Sequence, residues 1–369
     1  VRKAVALISG GLDSMLAAKA IQSQGIHVEG LNFFTGFCVE GHTHAIRNKD
    51  KIKQKRNNAL WVAEQLGMRL HIIDIVEEYK NVVLNPQHGY GAHLNPCLDC
   101  KVFMIGKAKT WMEENGFDFI ITGEVIGQRP KSQKKRLMPI IAEQSGADDR
   151  LLRPLCAKFL PPTLPEIEGW VDREKLFDFS GRSRKPQIAL ADTYGLNDFA
   201  QPAGGCCFLT DQSYSSKLLD LWQSQGTRRY ELDDIMLLKV GRHLRPAPHF
   251  KLIIGREKGE NNYLQGYRKE FDSLECSNHM GPLMLIDGEP TAEDFHLAAR
   301  ILGRYSDCPS DEKVSVTVTT RDGIITKMEV SPLLENEILP QWQVGTSFAK
   351  MSKSAIAMKL KVVDEHANS

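Results

Sequence analysis

Val5-Ala6-Leu7-Ile8-Ser9-Gly10-Gly11-Leu12-Asp13-Ser14 runs from an apolar strand pattern through a glycine pair into a helix pattern, Met15 to Ile21, and this passage decides the fold. Gly10 and Gly11 lack a Cβ, so the backbone is free to turn consecutive N–H groups onto one anion. Ser9 and Ser14 add hydroxyl donors, and a helix N-terminus adds partial positive charge. A strand, a polar glycine turn and a helix start together make a phosphate-binding arrangement. The Walker pattern is excluded, because it needs four residues between its glycines and then Lys with Ser or Thr. Read blandly, the loop is a turn joining strand to helix. Three polar residues flanking the glycine pair exceed what a turn needs.

Outward from this loop, short apolar runs alternate with amphipathic stretches from residue 1 to about 160. Strands are predicted at 4–9, 28–34, 69–75, 117–122 and 151–155, and helices at 13–24, 53–66, 98–114 and 132–144. Such alternation predicts an α/β domain over 1–160, a doubly wound parallel sheet with helices on both faces. Ligands in such sheets sit at the carboxyl ends of strands, which collects Ser9, Phe34 and Gly123 in one site. Pro161, Pro162 and Pro165 mark a helical connector over 161–230, in which Ser180 to Lys185 opens a helix near Pro186. Over 231–332 strands at 235–240, 250–255, 283–287, 314–320 and 324–330, with two helices, predict a smaller α+β C-terminal domain. Residues 333–369 hold no motif and read as a tail.

At 369 residues the chain is long enough for two or three domains, and 42% hydrophobic with 25% charged residues is ordinary globular usage. There is no apolar run of about 18 residues, so no membrane span is expected. The first residues read as a strand, so no signal peptide is expected. Eight cysteines in this length, two of them adjacent, do not form a secreted disulfide scaffold. A cytoplasmic enzyme is the expectation. The net charge of +1 leaves the question of nucleic acid to the local distribution of charge.

Pro96-Cys97-Leu98-Asp99-Cys100-Lys101 sets two thiols three residues apart at a helix start, where the dipole is expected to lower thiol pKa. Gly204-Gly205-Cys206-Cys207 supplies a third on a glycine turn. Zinc would want a fourth ligand, either Cys207 or a histidine such as His88 or His93. An iron–sulfur cluster on three thiolates would leave one iron open. Redox or persulfide cysteines are the third reading. Cys38, Cys156, Cys276 and Cys308 stand isolated and read as small core or surface residues.

The Ser9–Ser14 loop resembles the SGGxDS signature of the PP-loop ATP pyrophosphatases, which cut ATP between its α and β phosphates. With the Asn95 to Lys101 segment and Gln201-Pro202-Ala203-Gly204-Gly205-Cys206-Cys207-Phe208, residues 1 to about 215 resemble the tRNA thiouridine synthetases, both the 2-thiouridylase (MnmA-like) and the 4-thiouridine synthetase (ThiI-like) branches. The thiouridylases often show Asn-Pro-Asp-x-x-Cys, whereas Cys97 stands at the Asp position here. A Cys-x-x-Cys with one distant cysteine is similar to the iron–sulfur-dependent short forms. The resemblance therefore implies a [4Fe–4S] cluster on Cys97, Cys100 and Cys206, with Cys207 as the alternative to Cys206, and zinc or no metal as alternatives to the cluster.

The resemblance also implies the chemistry. ATP, with Mg²⁺ held in part by Asp13, adenylates a uridine carbonyl and pyrophosphate leaves; the purely structural role for Asp13 is helix capping. Sulfur from inorganic sulfide, or from a persulfide delivered by a cysteine desulfurase, then expels AMP. Asp13, Cys97, Cys100 and Cys206 are the catalytic candidates. Ser9, Gly10, Gly11, Asp13, Ser14, Phe34, Thr122 and Gly123 are the nucleotide-binding candidates. Position 8 (4-thiouridine) is the first choice and the wobble uridine the second. A homodimer is compatible with this reading.

Past the fourth strand, Arg129, Lys131, Lys134, Lys135 and Arg136 form a basic cluster with no acid inside it. Residues 47–56 hold six Lys or Arg against one Asp, and Arg182, Arg184 and Lys185 form a third patch. A solvated face explains each singly; three in one half suggest contact with a tRNA backbone. In the last domain, Gly241 to Arg245, Phe250 to Arg256 and Glu260 to Leu264 are similar to the RNA-binding module of the NFACT proteins. That resemblance implies phosphate contacts by Arg242, Arg245 and Arg256. Two rivals remain: a PP-loop enzyme adenylating a small molecule, and an RNA-binding protein with a vestigial ATP site.

Overall fold

In the computed structural model, which describes residues 1–39, 57–129, 132–200, 206–345, 360, 361 and 363, the apolar run before the glycine pair is strand β1 (Lys3–Leu7), with Ala4, Val5 and Ala6 fully buried. Described residues up to Cys206 form one compact unit and those from Cys207 a second. The basic run at 47–56, Lys131 and Gly204-Gly205 lie outside the described residues.

In the first unit β1 is followed by α1 (Leu12–Gln22), β2 (His27–Phe34), α2 (Asn58–Gln65), β3 (Leu70–Asp74), α3 (Val76–Leu84), α4 (Cys97–Glu114), β4 (Phe119–Ile121), α5 (Met138–Ser145), β5 (Leu151–Leu152), α6 (Leu164–Ile167) and α7 (Lys185–Thr193). The strands lie in the order β3-β2-β1-β4-β5, and every pairing is parallel. Alternation sorts the two faces. Ala4, Ala6, Phe119 and Ile121 pack into a core with Leu12, Met15 and Leu16 of α1. Val5 and Ile120 point the other way, toward the face on which α4 packs against β1 and β4. A sheet buried on both faces needs such nearly continuous apolar strands. This is the α/β doubly wound sheet that the alternation predicts.

Boundaries differ where local chemistry intervenes. The Asn57 side chain accepts from the amides of Ala59 and Leu60, so α2 starts at Asn58. Pro139 in the first turn makes α5 begin at Met138, behind a 3-10 turn at Lys135–Leu137. Helix α3 was not predicted. Its buried residues Val76, Tyr79, Val82 and Val83 trace one helical face, and Asp74 Oδ1 accepts from the Val76 amide at 2.9 Å.

The second unit holds α8 (Gln212–Gln225), α9 (Leu232–Leu237), β6 (Arg242–Ala247), β7 (Phe250–Ile254), α10 (Lys258–Leu264), β8 (Asp272–Cys276), β9 (Met284–Gly288), α11 (Ala292–Arg304), β10 (Val314–Thr319) and β11 (Ile325–Val330). Its sheet is antiparallel, in the order β11-β10-β8-β9-β7-β6. Leu252 and Ile254 face the core shared with α11, while Ile253 faces Leu237, Val240 and Leu264. The strand predicted at 235–240 is instead helix α9 and the turn that follows. Glu231 and Asp234 form a capping box there, and Asp233 and Asp234 in the first turn favour the helix dipole. Strands β6 and β8 were not predicted. After β11, Leu333, Ile338 and Trp342 pack on the same core, and the Val344 amide donates to His243 O at 3.0 Å.

Candidate active site

From β1 the chain moves one way to β2 and β3, and later the other way to β4 and β5. The strand order therefore reverses between β1 and β4, and the crevice beyond their carboxyl ends is the place where open α/β sheets bind ligands. Ser9-Gly10-Gly11 leaves β1 there and Thr122-Gly123 leaves β4. Gly10 has φ +79°, the left-handed region that glycine enters without strain. Ser14 Oγ donates to Gly11 O at 2.8 Å and lies 3.4 Å from Ser9 Oγ, which closes the turn at the start of α1. Gly123 sits directly on this turn: a Cβ there would stand 2.5 Å from Asp13 C and Ser14 N. Phe34 ends β2 on the same edge of the sheet.

Asp13 is tied to the crevice from two sides. Its Oδ2 accepts from Gln128 Nε2 at 2.7 Å and pairs with Arg184 NH1 at 3.0 Å. Gln187 Nε2 in turn donates to Gln128 Oε1 at 3.2 Å. Asp13 Oδ1 is buried without a hydrogen-bond partner, an orphaned oxygen that suits a hard cation.

Glu124, unforeseen from sequence, is the buried hub beside it. Its Oε2 accepts from Arg153 Nε at 3.0 Å and Thr122 Oγ1 at 3.1 Å, and its Oε1 lies 3.9 Å from Lys101 Nζ. Burial would raise its pKa; the charges of Lys101 and Arg153, with the hydrogen bonds, reverse this and hold the carboxyl below its ordinary value. Lys101 belongs to the first turns of α4, so the hub anchors the helix that carries two thiols. An acid lodged between Gly123 and Val125-Ile126, matched by Arg153 just after β5, was the available signal.

Cys97 is the first residue of α4 and Cys100 lies one turn on, with Asp99 accepting from the Gln87 and His88 amides. A parallel bridge from Gly11 to Ala200 carries the chain back to the glycine loop shortly before Cys206. The Arg129 guanidinium hydrogen-bonds the Cys206 side chain and feels the charges of Cys97 and Asp13; burial opposes its cationic form, and these neighbours raise its pKa overall. Cys100 is pushed up to about 12 by burial, with Cys206 and Cys97 adding to the rise against Tyr79 and Lys101. For Cys100 the rise runs against the lowering expected at a helix start, with loss of solvent as its largest cause. The structure thus brings Cys97, Cys100, Cys206, Arg129 and Asp13 into one neighbourhood. Cys207 starts the second unit, where it acts on Tyr214. Among the described residues no three Cys, His, Asp or Glu side chains are grouped to hold a metal ion.

The basic candidates separate by environment. Lys134, Lys135, Arg136, Arg182 and Lys185 are exposed, whereas Arg129 and Arg184 are partly buried against the residues just described. In the second unit Arg245 pairs with Asp220 through Nε at 2.6 Å and NH2 at 2.8 Å, and Arg256 is bound to Glu260. Arg242 is exposed, its guanidinium 5.0 Å from the Tyr305 ring centre. Among the described residues no helix is long and apolar enough to cross a membrane.

Residues 2–148 match the family described as tRNA methyl transferase HUP domain. The chain is 23% identical over 273 residues to the tRNA-specific 2-thiouridylase MnmA of Pelobacter propionicus, covering 72% of this chain and 67% of that protein. It is 27% identical over 277 residues to the MnmA of Mesoplasma florum, covering 70% and 68%. Residues 2–148 thus carry a domain of this HUP family, and the relatives they resemble are 2-thiouridylases. Residues 241–343 match the NFACT protein RNA binding domain, so the two matches fall on separate stretches of the chain. A solved 4-thiouridine synthetase–RNA complex with bound ATP is 21% identical, with 53% of this chain and 52% of that one covered, at a TM-score of 0.32.

Proposed function

We propose that the chain is an ATP-dependent tRNA sulfurtransferase that adenylates a uridine carbonyl and replaces its oxygen with sulfur. The carrying observation is the convergence of the glycine loop, Asp13, Arg129 and the thiols Cys97, Cys100 and Cys206 at the β1–β4 switch point. Backbone amides of the loop and the α1 N-terminus cradle the phosphates. Asp13, through its orphaned Oδ1, would hold Mg²⁺, which supplies charge neutralisation of the phosphates. The uridine oxygen attacks the α-phosphorus and pyrophosphate departs. A hydrosulfide then attacks the activated carbon and AMP leaves with the oxygen, so no net oxidation occurs. If a cysteine persulfide delivers the sulfur instead, a second thiol takes the remaining cysteine sulfur into a disulfide that a reductant must reopen.

A [4Fe–4S] cluster would be held by Cys97, Cys100 and Cys206, with Lys101 and Arg129 offsetting their charge, and would supply a site for an external sulfur ligand; the described thiols are not grouped to hold a metal ion, so no step runs through it. Zinc would need a fourth ligand gathered about one point. Exposed Lys134, Lys135, Arg136, Arg182 and Lys185 supply tRNA backbone contacts, and the NFACT-type module supplies further RNA affinity. Four-thiouridine at position 8 is the preferred product, on the Cys97-x-x-Cys100 spacing. The 2-thiouridylase relatives favour the wobble uridine as the second reading. Thiolation of tRNA transcripts with ATP and sulfide, read by nucleoside mass analysis, tests both. Either thiouridine, lost in Cys206→Ala, supports the proposal, and an unmodified transcript with competent protein rejects it.

A further inference from the structure

Arg184 is set apart from its basic neighbours. Arg182 and Lys185 are exposed, yet Arg184 turns back to Asp13 Oδ2, with its side chain 26% exposed against 16% for Asp13. The loop that carries it is held at the switch point: the Gly181 amide donates to Ile126 O at 2.7 Å, and Ile126 and Ser180 form a parallel bridge. Gln128, two residues beyond Ile126, binds the same Asp13 oxygen. A cation is therefore delivered to Asp13, the second residue past the glycine pair, by a segment tied to the turn after β4.

We infer that Arg184 is a nucleotide-phosphate ligand that occupies the cation position beside Asp13 until a metal–nucleotide complex arrives. This role rests on the nucleotide-binding half of the proposed function and is independent of tRNA and sulfur. Asp13 cannot hold Arg184 and a divalent cation equally well, because the two positive charges repel at close range. Phosphates entering the glycine loop present a planar, anionic partner suited to a guanidinium fork. Exchange then leaves every charge paired. Asp13 would then hold the metal through Oδ1 and Arg184 passes to a phosphate, while Gln128, itself bound by Gln187, keeps the carboxylate oriented through Oδ2.

The exchange carries a signature of opposite signs. In Arg184→Gln, Mn²⁺ alone should bind several-fold more tightly, because its competitor for Asp13 is gone. The same protein should bind Mg²⁺·α,β-methylene-ATP about 10- to 100-fold more weakly, having lost a charge-assisted contact. Titration calorimetry and Mn²⁺ paramagnetic resonance on the full chain read the two affinities. Lys175→Gln, which removes a remote surface charge, should change neither. Both affinities falling together, or neither moving, overturns the role and leaves a structural ion pair; a loss confined to tRNA binding makes Arg184 an RNA contact. Should Arg184→Gln fail to fold, Arg184→Lys serves instead, keeping Mn²⁺ weak and restoring nucleotide affinity only in part. Wild-type protein that binds nucleotide but does not thiolate tRNA removes the sulfurtransferase reading and leaves Arg184 in place, whereas wild type that binds no nucleotide overturns both.

Discussion

Replacing Gly123 with alanine tests the seam between β4 and the glycine loop. The new Cβ would stand 2.5 Å from Asp13 C and Ser14 N and 2.6 Å from Asp13 O, all backbone atoms of the first turn of α1. Ordinary contact begins at 3.4 Å, so the loop must retreat by about 0.9 Å. Overpacking against a rigid backbone costs about 1–3 kcal/mol, and a displacement near 1 Å at the phosphate cradle costs about 100-fold in rate. Gly106→Ala is the matched control, since its Cβ meets nothing nearer than Ser145 O at 3.6 Å inside helix α4. That substitution should be neutral or stabilise by about 0.5–1 kcal/mol. Urea unfolding reads stability and ATP–pyrophosphate exchange reads the site. Gly123→Ala with an unchanged urea midpoint and exchange within about threefold of wild type would refute the close approach on which the site is built.

Glu124→Ala leaves Arg153 buried without its carboxylate, and should lower stability by about 3–5 kcal/mol in urea unfolding; a loss below about 1 kcal/mol means the pair is not the buried hub described. Lys217, lowered to about 7 by burial and the nearby charge of Arg256, still donates to Leu238 O and Gly241 O. Its amine is neutral in the folded protein above about pH 7 but stays protonated in the unfolded chain up to the ordinary 10.5, so its penalty is greatest below pH 7 and is relieved as pH rises through that window. Lys217→Met should flatten the rise of the second unit's urea midpoint between those pH values; an identical slope contradicts the assignment. Cys100 and Cys156, both held near 12, should react with iodoacetamide at pH 8 far more slowly than exposed Cys206, as mapped by peptide mass. Equal rates would mean that burial does not protect them. Lys134→Gln and Arg136→Gln should each reduce the salt slope of tRNA binding by about one, whereas Arg245→Gln should lower stability through the loss of its Asp220 partner.

Local chemistry was legible wherever it depends on neighbours along the chain. Val5 to Ser14 carries its own strand, turn and helix start, and the three-residue spacing of Cys97 and Cys100 puts both on the opening turn of α4. The capping acids Glu231 and Asp234 are equally local, and they set a helix at Leu232–Leu237 where the apolar residues of 235–240 alone suggest a strand. Arg129 and Arg184 looked like members of basic patches, since a linear reading counts charges and cannot see which acid each will meet.

The residue pattern alone specified a parallel α/β unit with a glycine turn between β1 and α1, and a separate strand-rich module. The tertiary structure alone sets Gly123 against Asp13, joins Glu124 to Arg153 and Lys101, and pairs Arg184 with Asp13. Those pairs join residues far apart in the chain, and they form because β4 returns to lie between β1 and β5. Strand order is a property of the whole sheet's burial, so no single segment encodes it.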